Sequence, residues 1–389
     1  MIDLAICQPY LNGYGGAEKV ILKIAKHFDA KIYCIDYEPN KTFEEFKNRD
    51  IELLKVKSNP FFIRKYTQNK LSLNRQMTWA YYAWTFYNAK LPEHDIISSH
   101  IVPSEWIRNK NTPVIWYNHG IMREVFDQAK TRRKQKGKIG GSIHWVYSEL
   151  FFKNIEKKII PKIEHIFTNS DFTAKQLNKY FNIKAETLYL GTEYDILKNK
   201  GYEKFFFYIS RISEEKRPHL AIEAFRKFQK KHNDWKLIIA GGMRKGTAEE
   251  IYYNKLKKKA GKGVEIIPNI KEEQKIDLLS KCYTLIFPTL NEPFGIVPLE
   301  AMGSKKPVII MKDAGGPLET VIDKKTGFIV GSVDEMAEKM NYLAEHPKIN
   351  EQLGKQGYKH ATKNFTWDNF LKIFEKRSKE VIKKYTEIR

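Results

Sequence analysis

Two carboxylates eight residues apart, Glu292 and Glu300, have the clearest chemical potential in this sequence. They flank a turn at Gly295 that is predicted to join a strand to a helix. A carboxylate accepts hydrogen bonds from neighbouring hydroxyl groups, so sugar rings are natural ligands for such a pair. A structural interpretation stays open, in which Glu300 is an acid favoured by the helix dipole and Glu292 is a solvated side chain.

Two cations, Arg211 and Lys216, follow the predicted strand 205–210. Pro218 suits the first turn of the next helix. Cations beside a helix N-terminus can bind a diphosphate, because both the side chains and the free backbone N–H groups favour negative charge. The alternative is a charged loop in water.

A glycine-rich loop and two histidines follow predicted strands in the first half of the chain. Gly15 and Gly16 lie before the first helix, where glycine lets a backbone approach an anion. The loop does not match G-x-G-x-x-G, which argues against an NAD-dependent oxidoreductase. His119 and His100 are candidates for acid–base chemistry or for binding hydroxyl groups. A flexible turn and two structural histidines are the alternatives.

Strand-like apolar runs alternate with helical patterns along the chain, and a polar break over residues 191–201 divides them into two series. Repeated βαβ units predict mostly parallel sheets with helices on both faces. We therefore predict an α/β protein of two doubly wound, Rossmann-like domains, 1–192 and 200–365, facing a central cleft. Ligands of such sheets bind at the carboxyl ends of the strands. The sequence also predicts a long helix from Trp367 to Ile388.

Together these motifs resemble those of family 4 glycosyltransferases, which have the GT-B fold. The resemblance implies a retaining transfer of a sugar from a nucleotide diphosphate donor. It implies an acceptor-binding first domain, a donor-binding second domain, and a C-terminal helix, residues 367–389, that returns to the first domain. The motifs that carry it are Gly15-Gly16-Ala17-Glu18, Arg211 with Lys216, Glu292-Pro293-Phe294-Gly295, Glu300-Ala301-Met302, Pro307-Val308-Ile309, Gly315-Gly316-Pro317-Leu318-Glu319 and Thr326-Gly327-Phe328.

The first half is also similar to the family's bacterial mannosyltransferases, which makes GDP-mannose the first expectation for the donor. The matching segments are Asp95–His100, Tyr117-Asn118-His119 with Arg123 and Asp127, and Thr168-Asn169-Ser170.

The resemblance also implies roles for individual residues. His119 would lie at the anomeric centre and Glu292 would hold the transferred sugar, which makes these two the catalytic candidates. His100 and Arg123 are second-tier or acceptor-side candidates. No metal and no cofactor are expected, because protein cations would stabilise the leaving diphosphate. The donor-binding candidates are Gly15, Gly16, Arg211, Lys216, Phe294, Gly295, Ile296 and Glu300.

The 389-residue chain has 68 Lys and Arg against 46 Asp and Glu, a net charge of +22. Such an excess predicts a polyanionic partner: a phosphorylated ligand, an anionic membrane or nucleic acid. The cations are spread over both halves and no nucleic-acid module is recognised, so we expect no nucleic-acid partner. No apolar run approaches the ~20 residues of a membrane span. We expect a cytoplasmic protein, peripheral on the inner face of the cell membrane.

Residues 55–90 combine aromatic and cationic side chains, and residues 130–138 add six cations, a combination that suits a membrane headgroup interface. They predict an anionic membrane surface and a saccharide or polyprenyl-linked acceptor. The alternative is that the aromatics line a domain core. The cations are Lys55, Lys57, Arg64, Lys65, Lys70, Arg75 and Lys90, with Lys130, Arg132, Arg133, Lys134, Lys136 and Lys138; the aromatics are Phe61, Phe62, Tyr66, Trp79, Tyr81, Tyr82, Trp84, Phe86 and Tyr87.

Two other functions stay open at this stage. A nucleotide-sugar epimerase of GT-B architecture would turn over the donor without an acceptor. A basic nucleic-acid-binding protein is allowed by the net charge alone.

Overall fold

The computed structural model describes residues 2–55, 73–123, 125–127, 129–130, 133, 141–142 and 145–388. The chain forms two compact units, residues 1–189 with 371–389 and residues 190–370. Each unit contains a parallel sheet with connecting helices, so the predicted α/β class with two Rossmann-like units is confirmed.

The sheet of the first unit has the strand order β3-β2-β1-β4-β5-β6-β7 in the described part of the chain, and every pair is parallel. The order reverses beside β1, which places a topological switch point between β1 and β4, where ligands of open α/β sheets bind. The strands are β1 (Leu4–Leu11), β2 (Lys31–Tyr37), β3 (Ile51–Leu53), β4 (Ile96–Ser99), β5 (Val114–Asn118), β6 (His165–Thr168) and β7 (Glu186–Thr187).

The helices of the first unit cover apolar sheet faces. The first helix buries Val20, Ile21 and Ile24, which recur at the spacing of one helical face, and ends at Asp29 in the left-handed conformation. Short 3-10 turns cover Glu44–Asn48, Ser104–Asn109 and Ile160–Lys162, and a π-helical segment covers Val146–Phe152. The α-helices described here are α1 (Gly16–Phe28), α2 (Leu73–Asn88), α3 (Lys153–Ile159) and α4 (Asp171–Phe181).

The second unit repeats the same principle with the strand order β10-β9-β8-β11-β12-β13, again parallel throughout. Its switch point lies between β8 and β11. The residues after these two strands are Arg211 with Lys216 and Glu292, the charged residues singled out in the sequence. The strands are β8 (Phe205–Ile209), β9 (Lys236–Gly241), β10 (Val264–Pro268), β11 (Thr284–Phe287), β12 (Val308–Met311) and β13 (Gly327–Val330).

The first helix of the second unit, α5 (Pro218–Gln229), begins at a recognisable start signal. Pro218 stands at the first position of α5, where its missing N–H costs nothing. Further 3-10 turns cover Tyr194–Ile196 and Glu214–Lys216. The α-helices are α5 (Pro218–Gln229), α6 (Ala248–Lys259), α7 (Glu272–Lys281), α8 (Ile296–Gly303), α9 (Pro317–Thr320), α10 (Val333–Glu345) and α11 (Pro347–Asn364).

The C-terminal helix α12 spans Trp367–Ile388, as predicted. Its first four residues belong to the second unit and the rest to the first. The change comes after residue 370 because Trp367 packs tightly in the second unit: a Cβ on Gly191 would lie 2.2 Å from its backbone nitrogen. Further along, Phe374 is fully buried against Phe28 and Phe167, with ring centroids 6.0 and 5.8 Å away.

Helix α2 was not predicted as a helix. Its aromatic side chains divide between burial and exposure: Phe86 and Tyr82 are buried, whereas Trp84 is 39% exposed. The buried residues favour the core interpretation for that part of the segment. Several of the residues assigned to a membrane face lie outside the described residues, namely Lys57, Phe61, Phe62, Arg64, Lys65, Tyr66, Lys70, Arg132, Lys134, Lys136 and Lys138.

Candidate active site

Lys216 and Glu292 meet at the carboxyl edge of the second sheet. Lys216 ends a 3-10 turn after β8, and Glu292 follows β11, the neighbouring strand. The Lys216 ammonium donates to the Glu292 carboxylate, and Lys216 is only 9% exposed. The structure therefore brings a predicted anion binder and a predicted sugar binder into one ion pair, where an incoming diphosphate would compete with Glu292 for the ammonium.

Arg211 lies at the same edge, after β8, and two carboxylates orient it. Its guanidinium donates to Glu215 at 2.9 Å, and Nη1 lies 3.6 Å from Glu249 Oε1. Glu249 also accepts hydrogen bonds from the Arg244 side chain at 2.7 and 3.1 Å. Burial alone would raise the pKa of Glu249, but these hydrogen bonds outweigh it and lower that pKa. Arg211 is thus held by anions yet remains accessible, with 52% of its side chain exposed.

Glu300 is the fifth residue of helix α8 and is 4% exposed. Lys275 Nζ donates to its Oε1 at 2.8 Å and also donates to Glu272 at 2.8 Å. Such a paired, buried carboxylate is more than a solvated acid at a helix start, since an ionised group tolerates burial only with hydrogen-bonding partners. Sequence reasoning missed Lys275. The available signal was its spacing from Leu279, four residues later, on the buried side of helix α7.

At Phe294 and Gly295, just before helix α8, the backbone rather than a side chain is available to a ligand. Gly295 has φ +84°, and a Cβ there would lie 2.7 Å from Pro317 Cγ. The Phe294 side chain is buried and packs against Phe365, with ring centroids 6.1 Å apart. Ile296 begins the helix, so its N–H is one of the four that have no partner within the helix. Phe294, Gly295 and Ile296 can therefore offer backbone groups, and their role in binding a donor stays a prediction.

In the first unit, the helix N-terminus at Gly15 and Gly16 already carries an internal anion. The Glu18 carboxylate accepts a hydrogen bond from the Gly15 N–H at 3.1 Å. Glu18 is 5% exposed, and burial raises its pKa although this hydrogen bond opposes the shift. A Cβ on Gly15 would lie 2.6 Å from Glu18 Oε2, so glycine is needed for this close contact. The role of Gly15 and Gly16 in binding a donor stays a prediction.

His100 and His119 form a pair at the carboxyl ends of the neighbouring strands β4 and β5. His100 Nδ1 lies 3.3 Å from His119 Nε2, and its other ring nitrogen lies 2.9 Å from the Ser98 hydroxyl. Burial lowers the pKa of His119 to about 3, and burial together with His119 lowers that of His100 well below its ordinary value. Both rings are therefore neutral near pH 7, which suits hydrogen bonding to a hydroxyl group better than donation of a proton from an imidazolium.

The two histidines differ in accessibility. His100 is fully buried, and its backbone N–H is held by the Ser104 hydroxyl at 3.0 Å. His119 is half-buried, and its carbonyl accepts a hydrogen bond from the Asn169 amide at 3.1 Å. His119 is therefore the member that can contact a substrate, and His100 positions it. Arg123 forms an ion pair with Asp127 at 3.0 Å.

The described residues contain neither a candidate metal site nor a candidate membrane span. Within those ranges, no three His, Cys, Asp or Glu side chains converge in a way that could hold a metal ion. Among the same residues, no helix combines the length and apolarity needed to cross a membrane.

Two family models match the chain. Residues 14–193 match the model "Glycosyltransferase Family 4", and residues 193–360 match "Glycosyl transferases group 1". The matches meet at residue 193, close to where the two structural units divide.

The chain is similar over most of its length to proteins named alpha-1,3/1,6-mannosyltransferase ALG2. The protein from Dictyostelium discoideum is 28% identical over 95% of this chain and 96% of its own. The protein from Mus musculus is 25% identical over 92% of this chain and 91% of its own.

Solved structures resemble the fold along nearly the whole chain. HepE from Anabaena, in complex with UDP and glucose, has a TM-score of 0.71 at 18% identity and covers 97% of this chain and 100% of its own. WaaG, a glycosyltransferase involved in lipopolysaccharide biosynthesis, has a TM-score of 0.68 at 14% identity and covers 97% of this chain and 99% of its own. These structures support the GT-B fold. The two family matches and the relatives identify the chain as a hexosyltransferase of glycosyltransferase family 4.

Proposed function

We propose that this enzyme transfers mannose from GDP-mannose to a saccharide of a lipid-linked acceptor, with retention at the anomeric carbon and without a metal ion. The observation that carries the proposal is the arrangement of Arg211, Lys216, Glu292 and Glu300, which we call the donor cluster. The names of the relatives, alpha-1,3/1,6-mannosyltransferases, support mannose as the transferred sugar.

The donor cluster suits the charge changes of such a transfer. When the bond between the anomeric carbon and the diphosphate oxygen breaks, negative charge grows on the leaving diphosphate. Arg211 and Lys216 would stabilise that charge from fixed positions, because carboxylates already orient both side chains. The bond from the acceptor oxygen to the anomeric carbon forms on the same face, and the acceptor's proton passes to the departing phosphate oxygen.

The two carboxylates of the cluster divide the donor between them in this proposal. Glu300, buried and held by Lys275, would accept hydrogen bonds from the ribose hydroxyls. Glu292, more exposed and paired with Lys216, would hold the hydroxyl groups of mannose. In the first unit, His119 would bind a sugar hydroxyl as a neutral hydrogen-bonding group.

We propose further that the enzyme works at an anionic membrane surface. The net charge of +22 favours such a surface. In the first unit, Trp145 and Val146 are 42% and 49% exposed, and the Arg133 guanidinium lies 5.8 Å from the Trp145 ring centroid. An exposed indole beside a cation suits the headgroup region. Flotation with anionic vesicles at low salt should recover the protein, and Trp145→Ser should reduce recovery; equal recovery with neutral vesicles would contradict the proposal.

A donor panel tests the main proposal. GDP-mannose, UDP-glucose and ADP-glucose are compared by thermal shift, since a ligand at 100 times its dissociation constant stabilises by about 2.7 kcal/mol. We expect GDP-mannose to stabilise the enzyme most and to yield an α-mannoside with a polyprenyl-diphosphate glycan, equally with and without EDTA. Preference for another donor would overturn GDP-mannose as the substrate. A β-linked product would overturn retention, and loss of activity in EDTA would overturn metal independence. Conversion of the donor to another nucleotide sugar without acceptor would instead favour an epimerase.

A further inference from the structure

Three aromatic rings and one carboxylate meet at the carboxyl ends of β1 and β2 in the first unit, away from the histidine pair. The rings of Tyr10, Trp79 and Tyr82 lie with centroids 6.2–6.3 Å apart. Tyr10 is the register partner of Asp36 across the two strands. Tyr10, Trp79 and Asp36 are half-buried, so each presents part of its surface.

The carboxylate is oriented from within the cluster. The side chains of Asn12 and Tyr82 are the hydrogen-bonding neighbours of Asp36. Burial raises the pKa of Asp36, with a further contribution from Glu38, more strongly than these two neighbours lower it. A carboxylate has about four acceptor positions, so two hydrogen bonds leave capacity for hydroxyl groups. Placing an acid among aromatic rings costs free energy, which a purely apolar corner of the core would avoid.

We propose that Tyr10, Asp36, Trp79 and Tyr82 form a saccharide subsite that binds a sugar of the acceptor glycan distant from the reacting one. Ligand sites typically combine apolar and aromatic walls with a few fixed polar groups, and this cluster has both. The apolar face of a pyranose ring packs on the exposed aromatic surface, and its hydroxyl groups donate to Asp36. This assignment replaces the membrane role that the sequence suggested for Trp79 and Tyr82.

The sheet order gives the subsite its relation to the histidine pair. From β2 the order runs through β1 and β4 to β5, which carries His119 at its carboxyl end. Three strand spacings of about 4.8 Å separate Asp36 from His119 by roughly 14 Å along this edge. Direct contacts join the middle of β1 to the residues that follow β4: the His100 N–H donates to the Cys7 carbonyl at 3.2 Å, and the Gln8 side chain accepts from the Ile101 N–H at 3.3 Å. The separation exceeds one hexose ring and fits an oligosaccharide.

The inference rests on the proposed transfer to a glycan acceptor, and its test measures oligosaccharide binding directly. Isothermal titration compares α-mannotriose with methyl α-mannoside, and chitotriose with N-acetylglucosamine, on the full chain. We expect at least one trisaccharide to bind about tenfold more tightly than its monosaccharide, and Trp79→Ala to abolish that advantage, since one aromatic contact contributes about this much. Trp84→Ala, an exposed tryptophan on the same helix, should leave the advantage intact.

The variants also separate binding from folding. Asp36→Asn keeps the shape of the side chain and should reduce trisaccharide affinity without changing the melting temperature. This variant therefore tests the subsite even if Trp79→Ala destabilises the first unit. If neither trisaccharide outperforms its monosaccharide, or if Trp79→Ala and Trp84→Ala lose equal affinity, the subsite is wrong. GDP is titrated into the same samples. Failure of GDP to bind the wild type would contradict the proposed donor while leaving the subsite to be judged by the saccharides.

Discussion

The histidine pair of the first unit and the donor cluster of the second both lie at the carboxyl edge of a parallel sheet, but their electrostatics are opposite. His100 and His119 are neutral, because burial lowers the pKa of each. The donor cluster contains side chains paired with opposite charges, including Lys216 with Glu292 and Glu300 with Lys275. One fold thus provides a neutral histidine pair suited to sugar hydroxyls and a charged edge suited to a nucleoside diphosphate.

Removing a cation from the donor cluster should have the largest effect. Arg211→Ala and Lys216→Ala should each lower kcat by roughly 10²–10³, as is typical for one preorganised group facing a developing anion. Steady-state kinetics with GDP-mannose measures this. Arg217→Ala is the matched control, because Arg217 lies in the same loop as Arg211 and Lys216 but pairs with Asp313, which follows β12. Near-normal turnover in the Arg211 and Lys216 variants would remove the charged edge from the mechanism.

Changes to the histidine pair should lower transfer and leave GDP binding intact. His119→Ala should reduce kcat by about 10²-fold, the lower end for a positioned catalytic group, and more than His100→Ala. Because the pKa of His119 is about 3, the wild-type rate should show no step near pH 6.5 from this residue. A larger loss with His100→Ala, or a rate that follows protonation near pH 6.5 and loses that dependence in His119→Gln, would contradict the assignment.

Substitutions of the two carboxylates of the donor cluster should affect different ligands. Glu300→Gln should weaken GDP binding by about tenfold, since hydrogen bonds to a charged group contribute about 1.5–3 kcal/mol. Glu292→Gln should keep GDP affinity and raise the KM for GDP-mannose or lower its turnover. Titration of GDP and of GDP-mannose into both variants checks this. Equal losses of GDP affinity would abolish the division of roles.

The smallest expected effects are on stability, and they differ in sign between two buried pairs of the first unit. His119 binds a proton below pH 6.5 in the unfolded chain but only near pH 3 in the folded protein. As pH falls from 6.5, this protonation favours the unfolded state and lowers the stability of the wild type. Glu105 lies buried beside Glu156, and burial raises its pKa. Its contribution is present below pH 4.5 and is lost as pH rises through the folded-state pKa.

Melting temperatures of two variants test these signs. Relative to wild type, His119→Gln should gain stability as pH falls from 7 to 5, whereas Glu105→Gln should gain as pH rises from 5 to 8. If the melting temperature of both variants changed with pH in parallel with that of the wild type, burial would not control the charge of either pair.

The sequence could predict which strand ends carry the charged residues, because βαβ alternation fixes where a strand stops and the switch-point rule says which ends matter. It could not predict the partners that orient them. Lys275 and Glu249 lie 25 and 38 residues from the side chains they contact, on helices whose placement depends on packing. Helix α2 was missed because its aromatics obscure the helical period. The subsite at Tyr10 and Asp36 requires the strand register, which no local pattern encodes.

The affinity of GDP for four variants, measured by isothermal titration, tests the central claim that the donor cluster binds the nucleotide and the histidine pair does not. Arg211→Ala and Lys216→Ala should each weaken GDP binding by at least about tenfold, given the strength of charge-assisted hydrogen bonds. His100→Ala and His119→Ala should bind GDP as the wild type does. Loss of GDP affinity in the histidine variants, with full affinity in the Arg211 and Lys216 variants, would contradict the claim.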